Sequence, residues 1–148
     1  MDARAAELAA PKEAVRHSRS TTVRPESYRR EGLLAYDRWV EKFSQPRAKC
    51  GAGDSYCRSV YRSTHRAAGE LLKETAPKYP RSGEDLAKAA SEFAAEADAL
   101  DKCSAGIGWR SPERDDARDA RLWPLLAEAR NHYAAGIGHL EKALAMLG

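Results

Sequence analysis

Three cysteines and four histidines are the residues of this 148-residue chain best suited to chemistry, and their spacing limits what that chemistry can be. Cys50, Cys57 and Cys103 include no CxxC pair and have no histidine close by in the sequence. A tetrahedral site would lack its fourth ligand, so no metal is expected there. Two readings of the thiols stay open. One is a disulfide, Cys57–Cys103 or Cys50–Cys103, closing a loop of roughly 50 residues and worth about 2–4 kcal/mol. The other is three unrelated thiols, each a small buried hydrophobe.

The histidines carry an internal echo. His65-Arg66-Ala67-Ala68-Gly69 recurs as His132-Tyr133-Ala134-Ala135-Gly136. Two imidazoles at matched depth on two helices could hold a small ligand, a metal or a haem in a bundle core. The chain has no CxxCH and no ExxH partner for either histidine, and both sit on the flank of an apolar stripe. Boundary histidines, hydrogen-bonded near solvent, are the simpler expectation, and no cofactor is expected. The glycines of the echo, with Gly138, lie inside helical patterns, where each costs about 1 kcal/mol relative to alanine. They predict close helix approach.

Catalytic signatures are missing. No nucleophile elbow, phosphate loop, HExxH or paired-carboxylate pattern occurs, and the one adjacent histidine–serine pair, His17-Ser18, falls on an expected linker. No catalytic residue is expected, and the sequence leaves the question of an enzyme open while leaning against it.

Helices must position these groups, because no segment shows strand alternation. The longest apolar-periodic segment is Arg121–Leu147, with Leu122, Leu126, Ala129, Tyr133, Ile137, Leu140 and Leu144 on one face. Pro124 predicts a break near Trp123, with a charged lead-in helix over 112–121. A helix from Pro25 to Pro46 points Leu33, Tyr36, Val40 and Phe43 inward. The next begins at Asp54 as N-cap and points Tyr56, Val60, Thr64, Ala67 and Leu71 inward. A third starts at a capping box, Ser82 to Asp85, and buries Leu86, Ala89, Ala90, Phe93, Ala97, Leu100 and Cys103. Short links favour antiparallel neighbours. The expected fold is therefore all-α: an up-down-up-down four-helix bundle over 25–148, with a short N-terminal helix or arm before it. In that topology the three cysteines converge on one end.

The charge of +3 resides in the first 30 residues, which hold seven basic and four acidic side chains; the remainder balances. Residues 1–24 thus read as a basic arm, with a helix stopped at Pro11 and then a linker. Such an arm could contact nucleic acid through phosphates. Arg58, Arg62, Arg66 and Lys73 form a basic stripe on the second helix, and Asp85, Glu92 and Glu96 an acidic one on the third. Cross-helix ion pairing between the stripes is the plain expectation. Tryptophan and arginine dominate binding energy at interfaces. Trp109, Trp123, Arg58, Arg62 and Arg66 are therefore the expected contacts for a protein partner. The leading expectation is a small bundle that binds and regulates a macromolecule, as an inhibitor, immunity or adaptor module. The alternatives are a ligand-binding or redox bundle using His65, His132 or the cysteines, and nucleic-acid binding by the arm. No apolar run is long enough to span a membrane and the first residues lack a secretion signal. The chain as written is expected in the cytoplasm, or in the periplasm or outside the cell if it is a mature form.

Overall fold

The computed structural model describes residues 3–21, 31–45, 52–105 and 116–147. Every regular element among them is helical: α1 (Ala3–Ser18), α2 (Gly32–Ser44), α3 (Ala52–Thr75), a 3₁₀ turn (Ala76–Lys78), α4 (Gly83–Ala105) and α5 (Asp116–Leu147). None of the described helices is long and apolar enough to cross a membrane.

The five helices pack on a single core, with α4 between α3 and α5 and with α1 and α2 both lying on α5. The pairs Arg62–Asp101 and Arg66–Asp98, with Gly69 against Ala90, show that α3 and α4 run antiparallel. Glu92–His132 and Asp85–His139 show the same for α4 and α5. Small residues allow the close spacing, since Ala89, Ala97, Ala99, Ala129 and Ala143 are all fully buried. Each face expected inward on α4 is buried, and so are Leu122, Leu126, Ala129, Tyr133, Ile137 and Leu140 of α5.

Several boundaries differ from the sequence expectation. Helix α5 runs unbroken through Pro124, joining the expected lead-in and the long segment. Proline removes one hydrogen bond to the carbonyl four residues back. Both Pro124 and Ala120 face solvent, where water can serve the freed carbonyl. Likewise α1 continues through Pro11 to Ser18 and is docked, not a free arm. Its C-terminal end meets Gly32, whose φ of +56° suits glycine and where a Cβ would lie 2.5 Å from the Ser18 Cα. Arg19 then clamps Glu141 of α5 with two bonds of 2.8 Å. Helix α2 begins at Gly32, seven residues after the expected Pro25, and α3 begins at Ala52 rather than after Asp54. Ser82 does precede α4, but its hydroxyl is buried without a hydrogen bond and Asp85 turns to His139, so the capping box does not form.

The largest difference is the rotation of α3. Val60, Thr64, Ala67 and Leu71, expected inward, are exposed, Leu71 by 63%. The inner face is instead Arg58, Tyr61, His65, Ala68, Gly69 and Leu72. Close seating of Gly69 decides the rotation, because a Cβ there would lie 3.0 Å from the Ala90 carbonyl oxygen.

Candidate functional site

The rotation of α3 carries His65 to the interior, where it meets a carboxylate. Glu96 of α4 is fully buried, and His65 Nδ1 lies 2.7 Å from its Oε1. The Tyr36 hydroxyl donates to the same oxygen, and Tyr36 is itself wholly buried. Burial and the neighbouring carboxylate both push the Tyr36 phenol far above its ordinary range, so it remains a donor. A carboxylate accepts only, so the geometry places the imidazole proton on Nδ1. Glu96 Oε2 has no hydrogen-bond partner.

Aromatic rings fix the imidazole from several sides. His65 stacks on Tyr133 with centroids 4.9 Å apart and planes 6° from parallel, and meets Tyr61 edge-on at 5.0 Å. Tyr61 also touches Tyr36 and Trp39, at 5.6 and 5.3 Å, and these rings join α2 to α3. Burial pushes the Tyr133 phenol up as well, beside the Ser18 hydroxyl at the end of α1, which donates to the Val15 carbonyl.

Beside this cluster lies a cavity of about 450 Å³ between α1 and α3, floored by α4 and α5. Its wall runs from Tyr61 and His65 to Leu72 along α3 and from Tyr133 to Leu140 along α5, and is completed by Phe93, by Ala10, Pro11, Ala14 and His17 of α1, and by Glu31 and Gly32. His65 shows one edge here, its side chain 20% exposed. His17 is engaged on both nitrogens, by Glu31 and Glu13 at 3.0 Å each. A carboxylate-backed imidazole at the edge of an apolar space can donate or accept a hydrogen bond, or exchange a proton.

The expected site residues are dispersed. His132 pairs with Glu92 of α4 at 2.7 Å, about one third exposed, and does not line the cavity, so the two echo histidines do not share a ligand site. The acidic stripe is met by histidines, His65, His132 and His139, instead of by the arginines of α3. Arg62 and Arg66 bind Asp101 and Asp98 on the next turns, at 2.8–2.9 Å. Arg58 is 2% exposed and so cannot form part of a partner surface. Trp123 is 41% exposed as expected, while Trp109 lies outside the described residues. Cys50 also lies outside them, and the side chain of Cys57 is not among those described. Cys103 is a free thiol, so neither expected disulfide to it is formed. Buried in the core, its thiol is pushed up to about 11 by desolvation, against a smaller lowering by Arg58, which keeps it in the unreactive form. Among the described residues no three potential ligand side chains converge on a metal position.

Glu96 is the buried residue of the candidate site that the stripe reading missed. It lies three residues after Phe93 and four before Leu100, which places it on the buried face itself. That spacing was the available signal. The chain matches no protein-family model, no curated protein and no solved structure, so the cavity and its histidine are read from their own chemistry.

Proposed function

We propose that the protein is a small-molecule-binding helical bundle, with the α1–α3 cavity as its site and His65 as the polar anchor. One observation carries this reading: His65, held through Nδ1 by a buried carboxylate, lines a 450 Å³ apolar cavity. Pockets of this size, lined by aliphatic and aromatic groups with few polar atoms, suit small ligands. A neutral apolar dye such as Nile red tests it. Bound fluorescence should appear at one dye per chain and fall when Ala68→Trp fills the cavity; a dye signal unchanged by that variant refutes the assignment.

A macromolecular partner is the second reading, favoured by Trp123, exposed beside Pro124 on the outer side of α5. Exposed tryptophan is enriched among residues that dominate binding energy. Trp123→Ala should abolish capture of such a partner while leaving dye binding intact. The up-down-up-down order of the main helices belongs with these proposals, supported by the antiparallel pairs of α3 with α4 and α4 with α5.

A further inference from the structure

Resting on the ligand-binding reading, we propose that the cavity takes an uncharged, largely apolar molecule of about three fused rings. Volume sets the size. A cavity of about 150 Å³ lined by aliphatic and aromatic side chains holds one benzene ring. This one has about 450 Å³. Its wall is mostly hydrocarbon, with Leu71, Leu72, Phe93, Ile137 and Leu140 as its larger apolar groups. Leu71, well exposed, carries that apolar surface out to solvent. A ligand seated there covers a leucine that the fold leaves in water.

The charges around the cavity decide against an ion. Among the described residues that line it none is lysine or arginine, and its titratable groups are His17, Glu31, His65, Tyr61 and Tyr133. Each imidazole already faces a carboxylate of the protein: His17 meets Glu13 and Glu31 at 3.0 Å each, and His65 meets Glu96 at 2.7 Å. A protonated imidazole in such a place is matched within the protein, and a neutral one has no charge to give. In both cases a ligand anion finds no spare cation on the wall and meets the Glu31 carboxylate. Taking an unpaired ion out of water into an apolar space is strongly unfavourable. A ligand cation has Glu31 as its one carboxylate among these lining residues. That group is half-exposed and already holds His17, so water screens the pairing and the cation's lost hydration outweighs it. An uncharged molecule meets neither penalty, and it gains from the apolar area it buries.

Fluorescence titration of the full chain at neutral pH with methylphenanthrene, N-methylphenanthridinium and phenanthrene carboxylate tests the proposal. The three probes share one tricyclic frame and differ in carrying no charge, a fixed positive charge within the central ring, or a negative charge beside it. The hydrocarbon should bind at least about tenfold tighter than either ion. Ala68→Trp, which fills the cavity, should remove that binding; the comparison among probes uses the unmodified protein and stands even where this variant fails to fold. Leu71→Lys changes an exposed position and places a cation on the wall. It should narrow the gap between carboxylate and hydrocarbon by about threefold or more. An ion bound as tightly as the hydrocarbon, a carboxylate gap unmoved by Leu71→Lys, or Nile red binding without hydrocarbon binding overturns the uncharged tricyclic ligand while leaving the cavity reading intact. Hydrocarbon binding that survives Ala68→Trp, or no binding of any probe together with no Nile red binding, overturns the cavity reading itself.

Discussion

Helices α3 and α5 grip α4 from two sides with the same short pattern, a histidine followed four residues later by glycine, yet the two contacts differ in kind. On α5 the pattern sits within a continuous leucine–alanine stripe; Gly136 leaves room for the Phe93 ring, and His132 reaches a half-buried carboxylate at the rim. On α3 apolar residues are sparse. There Gly69 seats the helix on the Ala90 carbonyl, and His65 is carried inside to a fully buried glutamate. The same five-residue pattern thus serves as rim ion pairing in one place and as part of an interior cluster in the other. The burial of the partner carboxylate makes the difference.

The comparison is sharpened most by Glu96→Ala, which strands the Tyr36 hydroxyl and His65 Nδ1 in the core. Urea denaturation should show a loss of about 2–5 kcal/mol, from two buried donors left without an acceptor at about 1–3 kcal/mol each. A loss under about 1 kcal/mol would place that cluster with the rim pairs. Next comes Gly136→Leu, whose Cβ alone would lie 2.7 Å from the Phe93 ring, with a cost of about 2 kcal/mol or more by the same measurement. Its neighbour makes the control. Gly138 has nothing within 4 Å of where a Cβ would stand, contrary to the close approach expected there, so Gly138→Ala should stabilise by about 1 kcal/mol. On the rim, His132→Ala should cost under about 1 kcal/mol, since both partners keep contact with water.

The smallest effect concerns α1, which roofs the cavity. Arg19 holds the Glu141 carboxyl below the usual glutamate range. A lowered native pKa means that this contribution is complete above the ordinary glutamate range and is lost as the pH falls through the lowered value. Hydrogen exchange in α1 should therefore accelerate below about pH 4, ahead of α4 and α5. Arg19→Ala should show the faster exchange already at neutral pH. A pH-independent α1 would mean that the Ser18–Gly32 contact alone seats it.

Legibility followed the density of apolar residues. The inner faces of α4 and α5 could be read directly, because leucine, alanine and phenylalanine recur at three and four with few competing phases. Helix α3 offers Val60 and Leu71 on one side and Tyr61, His65 and Leu72 on the other, and spacing by itself cannot choose between them. The cavity was illegible for a further reason: one side of its wall comes from α1, which residue spacing presents as a polar tail, and its docking depends on Gly32 and on the distant Glu141.

By itself the sequence determined that the chain is helical, where α4 and α5 lie and which of their residues are buried, since these depend on local periodicity and solvation. Glu96, read as part of an acidic stripe, proved to be fully buried. The tertiary structure decided the rotation of α3, the docking of α1 and the pairing of Asp85, Glu92 and Glu96 with histidines. Those are contacts between residues dozens of positions apart. They are settled by steric fit at Gly32, Gly69 and Gly136 and by the need of a buried carboxylate for donors, which act only once the helices are packed.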